Sequence, residues 1–295
     1  MKVLHFTLPV AHEHSVIVQQ DDQPYFYPYL HRHNEAQLTY IASGEGTIVA
    51  GTNMQVFKPG DIFFLGPNQA HIFKSDPQYF EADSLLRINT LTIFFDPETK
   101  LSALFQLPEM QLIKQFVDQH AGGFKIPAGY RAPVLERMLT VKDARNAGRM
   151  AEFVQLLQFL YSIRQQLTPL TDGALDKMSD TEGIRIGHIY NFAMQNYPSA
   201  ISLDDIAAEV HMTPQAFCRY FKKHTGNTFI TFLNKLRINE ACKMMSIAKV
   251  EGISSVAYAC GFNSITNFNR TFKAIMGSSP TQYLEHAKAL VSDPV

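Results

Sequence analysis

Cysteine is scarce in this 295-residue chain, and its three copies (Cys218, Cys242, Cys260) are odd in number and show no metal-ligand spacing. That excludes a disulfide framework or a zinc knuckle and fits a reduced, cytoplasmic setting. Long hydrophobic runs are also missing. Apolar residues make up 46% of the chain, enough for real cores, but no stretch approaches the ~18 uninterrupted apolar residues that a membrane span needs. The opening "MKVLHFTLPVAHEH" is interrupted by His5, Pro9, His12 and Glu13, so no signal-peptide core is expected there. Finally there is almost no net charge, −1 over the whole chain.

That near-neutrality conceals an asymmetry. Residues 1–184 hold 15 Lys and Arg against 20 Asp and Glu, net −5, whereas residues 185–288 hold 11 against 6, net +5. A basic C-terminal third behind an acidic remainder is the distribution expected when one module meets a polyanion.

Length predicts two domains. Residues 15–95 contain short β-branched and aromatic runs ("SVIVQQ", "AQLTYIASGEGTIVAG", "DIFFLG", "LLRINTLTIFF") broken by Gly, Pro, Asn and Asp, the pattern of a β-barrel or sandwich. Past Pro97 the apolar spacing changes to three and four, predicting helices in "EMQLIKQFVDQH", "YRAPVLERMLTV" and "AGRMAEFVQLLQFLYSIRQQL". In the last of these Met150, Phe153, Val154, Leu157, Leu160 and Tyr161 form one stripe, which suits packing either on the barrel or on a second copy of the chain. The expected organisation is a barrel over 1–100, a helical segment and candidate dimerisation element over 101–167, a polar linker over 168–183, and an all-helical domain over 184–290.

The helical domain carries an internal repeat. "HMTPQAFCRYFKKHTG" (211–226) and "GFNSITNFNRTFKAIMG" (261–277) align at an offset of 51, pairing Thr213 with Ser264, Phe217 with Phe268, Arg219 with Arg270, Phe221 with Phe272, Lys222 with Lys273 and Gly226 with Gly277. Thr213 and Ser264 suit a helix N-cap, and the Phe pairs at i, i+4 make one buried stripe with Arg and Lys off it. A helical bundle explains the phenylalanines but not two basic stripes at a single offset. Each copy follows a short helix ("SLDDIAAEV", "ISSVAYAC") across a tight turn, which is helix-turn-helix logic. The helix expected over 228–246 between them covers about 29 Å at 1.5 Å per residue. That spacing suits successive major-groove faces, which recur every ~34 Å on B-DNA.

These residues carry a resemblance. Residues 185–288, through "IAAEVHMTPQAFCRYFKKHTG", "LNKLRINEACKMM" and "SSVAYACGFNSITNFNRTFKAIMGSSPTQYL", resemble the DNA-binding domain of the AraC/XylS family of bacterial transcription regulators. The resemblance implies two helix-turn-helix units on a long helix, a separate effector or dimerisation domain, promoter DNA as partner, a homodimer, and contact with RNA polymerase. His211 departs from the pattern, where a Gly-like turn residue is common. By matching position Gln215, Cys218 and Arg219, then Thr266, Asn267, Asn269 and Arg270, face the groove, and Lys222, Lys223 and Lys273 meet phosphates. Cys218 is weighted toward burial, as free Cys usually is. Ile265 near the groove allows only van der Waals contact.

In the front domain, "YLHRHNEAQLTY" and "KPGDIFFLGPNQAHIF" resemble the cupin superfamily, an antiparallel barrel with an H-x-H, Glu, Gly-rich turn, "PGD" and later His. His31 and His33 alternate on one strand and share a face to which His71 can return. Three imidazoles match metal-ligand stoichiometry, but Gln37 stands where the pattern has Glu, with Glu35 nearby but out of position. A neutral amide suits an organic ligand better than a hard cation. The expected use is therefore a small-molecule pocket lined by His31, His33, Gln37 and His71, with no metal, no cofactor and no enzymatic activity. The aromatic run "YFYPYL" (25–30) is placed to cap it and suits a sugar ring. The reading is an α+β chain: a cupin-like effector barrel with trailing helices, then a tandem helix-turn-helix domain, acting as a ligand-responsive transcription regulator. The alternative is a cupin metalloenzyme fused to a DNA-targeting module.

Overall fold

The computed structural model describes residues 14–51, 53–81, 83–171, 180–246 and 252–285. The chain divides into two compact units, residues 1–184 and 185–295.

In the first unit, β1 (Val16–Gln23), β2 (Ala36–Ser43), β5 (Ile62–Leu65), β7 (Ile88–Phe95) and the two-residue strands β8 (Phe124–Lys125) and β9 (Thr168–Pro169) form a six-stranded sheet in the order β1-β7-β2-β5-β8-β9. A second sheet, β4-β3-β6, is built from β3 (Gly46–Ala50), β4 (Asn53–Phe57) and β6 (His71–Ser75). The expected barrel is thus corrected to two antiparallel sheets that do not close. The chain leaves the larger sheet at the corner "GEG" (44–46). A Cβ on Gly44, at φ 119, would lie 2.8 Å from the Ile88 side chain, and one on Gly46 would lie 2.0 Å from the Lys74 carbonyl oxygen. Only glycine allows so close an approach of backbones.

Strand parity assigns the two faces of the larger sheet. Ala36, Leu38, Leu91, Ile93 and Phe95 pack with residues of α1 (Ser102–Phe105), α2 (Gln111–Gln119), α3 (Ala128–Asp143) and α4 (Asn146–Ser162) in one core. The α4 stripe belongs there: Phe153, Leu157 and Leu160 are buried, with Met150, Val154 and Tyr161 packed alongside. It covers the sheet of its own chain, so it is not left for a partner. On the opposite face Ile41, Phe63 and Leu65 meet Ile48, Phe57 and Phe73 of the smaller sheet. The rest of that face is mostly polar, with Ile88 and Phe94 among the threonines and glutamines.

The "PGD" turn has a structural role. Asp61 is fully buried, and its carboxylate pairs with Lys125 Nζ on β8 at 2.7 Å and with Arg131 Nη2 on α3 at 2.8 Å. Two cations balancing one buried anion tie the sheet to the helices. The expected linker begins later than residue 168. Thr168 and Pro169 add the edge strand β9, and Leu170 is buried in the inter-sheet core. Residues 172–179 lie outside the described residues, and the helix α5 (Asp180–Asn196) starts before the expected boundary at 184.

In the second unit, α6 (Leu203–Glu209) and α7 (Pro214–Thr225) form one helix-turn-helix, and α9 (Ile253–Ala259) and α10 (Ile265–Met276) form the other. Between them runs α8 (Phe229–Ser246), whose 18 residues span about 27 Å. Tyr190, Phe217, Phe221, Phe229 and Phe232 form the aromatic core of the first. Val256, Phe262, Phe268 and Phe272 pack on Ile238, Ala241 and Met245 of α8 in the second.

Candidate functional site

The turns of the two helix-turn-helix units superpose by their hydrogen bonds. His211 N donates to Ala208 O at 3.0 Å and Met212 N to Ala207 O at 2.9 Å. In the second unit Gly261 N donates to Tyr258 O at 2.9 Å and Phe262 N to Ala257 O at 3.0 Å. His211, at φ 55, takes the left-handed position that Gly261 holds at φ 81. Asn263 is then the extra residue that shifts the offset from 50 to 51. Thr213 Oγ1 accepts from Ala216 N at 3.3 Å and Ser264 Oγ from Asn267 N at 3.5 Å, each capping its helix. Both helices stop at a left-handed glycine, Gly226 and Gly277, bonded back to Lys222 O and Lys273 O.

With Phe217, Phe221, Phe268 and Phe272 buried, the remaining faces turn to solvent. Gln215, Arg219, Lys222 and Lys223 on α7, and Thr266, Asn267, Asn269, Arg270 and Lys273 on α10, are all exposed. One expectation changes: Cys218 is exposed rather than buried, beside Arg219. Ile265, at the start of α10, is partly buried against the second core. Arg270 Nη2 donates to Asn267 Oδ1 at 3.0 Å, one turn earlier on the same face. The other two thiols are inert, with burial pushing Cys242 up to about 11 and Cys260 up to about 12.

In the first unit the polar face of the larger sheet lines a cavity of about 230 Å³. His31, His33, Gln37 and His71 all border it, so the four sequence candidates come together. His31 and His71 are bridged by backbone hydrogen bonds of 3.0 and 2.9 Å, which bring the later strand beside the H-x-H segment. Of the aromatic run, Phe26 and Tyr27 line the cavity. Glu35 does not. It is buried behind His33, its carboxylate 3.9 Å from Nδ1. The sequence reading missed Gln19, Asp21 and Gln23 on β1, and Thr39, Thr90 and Thr92 on β2 and β7. Alternation was their signal: polar residues two apart on paired strands, with Gln19 and Thr39 both opposite Thr92.

Burial pulls the three imidazoles below their ordinary pKa: His31 to about 4, His33 downward, and His71 well below, where the neighbouring His31 and His33 add to the effect. All three are therefore neutral at pH 7. Their ring nitrogens fall within 4.8 Å of one another, making them the group that can hold a metal ion among the described residues.

Comparison with known proteins agrees on both regions. An AraC-like ligand binding domain matches residues 13–88 and a helix-turn-helix domain matches residues 206–286. The chain belongs to the AraC-type transcription regulators. Similar AraC-type relatives include the HTH-type transcriptional activator RhaS of Pectobacterium atrosepticum, 23% identical over 85% of this chain and 85% of its own length. The MmsAB operon regulatory protein of Pseudomonas aeruginosa is 23% identical over 87% of this chain and 77% of its own. Among solved structures, ToxT from Vibrio cholerae covers 92% of this chain and 98% of its own at 17% identity and a TM-score of 0.36. As an AraC-type regulator the chain has a DNA-binding domain and an effector-binding domain. Among the described residues no helix is long and apolar enough to cross a membrane.

Proposed function

We propose that this regulator reads promoter DNA with both helix-turn-helix units and that a small, neutral, hydroxyl-rich molecule such as a sugar or sugar derivative, held in the sheet cavity, controls it. The observation that carries the DNA half is one outward face presented twice, polar and basic over a Phe-sealed base. Arg219 and Arg270 suit guanine edges, and Asn267 and Asn269 suit adenine. Gln215 and Thr266 border them, and Lys222, Lys223 and Lys273 sit in the last turns, where they meet phosphates. The effector half rests on the lining. Three threonines, three glutamines and three neutral imidazoles offer donors and acceptors, Phe26, Tyr27 and Phe73 offer ring faces, and no Lys or Arg is among the described lining residues. A carboxylate effector finds no cationic side chain there, whereas hydroxyls find many partners.

The family resemblance extends the proposal to a homodimer that contacts RNA polymerase. The test is fluorescence anisotropy of the full chain on promoter duplexes over a salt series, with and without a panel of sugars. Affinity falls steeply with salt as counterions are released, and one sugar both shifts the binding curve and raises thermal stability. Salt-insensitive binding overturns the DNA half. A sugar panel with no effect, while organic acids stabilise the protein, overturns the effector half.

A further inference from the structure

We propose that a cleft of the first unit, between the start of β1 and the start of α4, binds a small phosphate-bearing molecule through Arg145 and Arg149. The cleft has a volume of about 410 Å³ and is bordered by His14, Ser15, Arg145, Asn146 and Arg149, over Val16 and Met150. That volume suits a small organic ligand. The cleft lies on the helix side of the larger sheet. Val16 and Val18 pack into the core shared with the helices, whereas Gln19, Asp21 and Gln23 face the sheet cavity. The sheet itself therefore separates this site from the effector cavity.

The two arginines carry the argument. They stand four residues apart on one helix, so they share a face. Arg149 Nε donates to Ala144 O at 3.1 Å, which folds the side chain back over the start of α4, toward Arg145. That bond uses Nε–H alone and leaves both Nη groups as donors. Arg145 is exposed, and neither guanidinium has a carboxylate partner among the described residues. Other cations of this unit are paired: Arg87 with Asp22, Lys114 with Glu98 and Asp118, Lys125 and Arg131 with Asp61. Two like charges on neighbouring turns repel each other, and an anion held between them turns repulsion into attraction.

Helix formation does not explain these residues. Arg145 holds the N-cap position of α4 without a capping hydrogen bond, and no acidic residue stands in the first turn. A short polar side chain is the favoured cap, and a cation there opposes the helix dipole. A dianion matches two guanidiniums, and the fork of N–H groups on each suits phosphate oxygens. From the opposite wall His14 and Ser15 add a ring nitrogen and a hydroxyl. The surround selects for size. Residues 1–184 hold 15 Lys and Arg against 20 Asp and Glu. An extended polyanion such as duplex DNA is repelled by that acidic unit, whereas a small ion inside the cleft is dominated by the arginines.

The test is calorimetric titration of the full chain, at fixed ionic strength in chloride buffer, with inorganic phosphate, glycerol 3-phosphate and acetate. One phosphate per chain is expected, and acetate binds more weakly. Arg145→Gln and Arg149→Gln each lower phosphate affinity by about tenfold or more, the double variant abolishes binding, and Arg149→Lys falls between. Lys58→Gln removes an exposed cation that does not border the cleft and leaves the affinity unchanged. Tighter binding of glycerol 3-phosphate assigns the cleft to a phosphate ester, and equal binding assigns it to the free ion; both support the site. No saturable binding overturns it, as does full affinity in the folded double variant or an equal loss in Lys58→Gln. Acetate binding as tightly as phosphate overturns the dianion. Weaker non-specific duplex binding by the double variant, without phosphate binding, gives this corner to DNA and overturns the proposal too. The sugar panel is independent of these outcomes, because its cavity lies across the sheet.

Discussion

At the turn of the first helix-turn-helix unit a histidine takes a left-handed backbone angle, and at the turn of the second a glycine does. The hydrogen bonds on either side are the same, so the difference lies in what surrounds the turn. His211 points into solvent. Gly261 is buried under the end of α5, and a Cβ there would stand 2.4 Å from Tyr197 O and 2.8 Å from Pro198 O. Arg237 of α8 closes the same corner, donating from Nε to Tyr197 O at 2.9 Å and from Nη2 to Ser199 O at 2.7 Å. Its guanidinium also lies 5.8 Å from the Phe262 ring centre. One turn bears only its own backbone strain, and the other is the joint at which the two helix-turn-helix halves of the second unit meet.

The largest effect expected from this contrast is at Gly261. A left-handed L-residue costs about 1–2 kcal/mol on its own, and the carbonyl clash adds to it. Gly261→Ala should lose more than about 3 kcal/mol in urea denaturation of the full chain, or leave the second unit unfolded. His211→Gly relieves strain and should be neutral or stabilising by up to about 1 kcal/mol. Equal losses at both positions would break the comparison.

Next comes Arg237→Met, which keeps the stem and removes two charge-assisted bonds. A loss of about 1.5–3 kcal/mol is expected, with helical content retained but the two helix-turn-helix halves melting less cooperatively. An unchanged, single transition would show that the joint does not couple them.

The smallest effects on the fold, though not on reading DNA, are at the exposed arginines. Each of Arg219→Ala and Arg270→Ala should cost about 1–3 kcal/mol on the preferred duplex and relax a different base position, about ten base pairs apart. Because Arg270 is held by Asn267, Asn267→Ala should disturb the position read by Arg270 and leave that of Arg219 alone. Lys273→Ala should weaken all sequences alike and lower the salt slope by about one. Selection from randomised duplexes separates these outcomes, and relaxation at one shared position would deny that the two units read separately.

Much of the second unit was legible because its signals are local. A cap, an i, i+4 Phe pair and a C-terminal glycine lie within one helix, so Thr213, Phe217, Phe221 and Gly226 announce α7 and its outward face together. Cys218 was misjudged because residue type speaks for burial only on average, while helical phase puts it beside Arg219. The α4 stripe was legible as a stripe, but its partner was not, since an apolar face fits a sheet or a second helix equally well.

By itself, then, the sequence determined what short-range chemistry controls: two sheet-and-helix regions, the repeated capped helix, and the rings at 31, 33 and 71 as polar candidates. Tertiary structure alone decided whatever depends on pairing between distant segments. It opened the barrel into two sheets at the 44–46 corner, and it turned Asp61 inward to Lys125 and Arg131. It also set Gly261 against Tyr197 and brought His71 to His31 across a backbone bridge. A side chain's burial follows from neighbours dozens of residues away, and no spacing along the chain encodes which strand will come to lie beside a histidine.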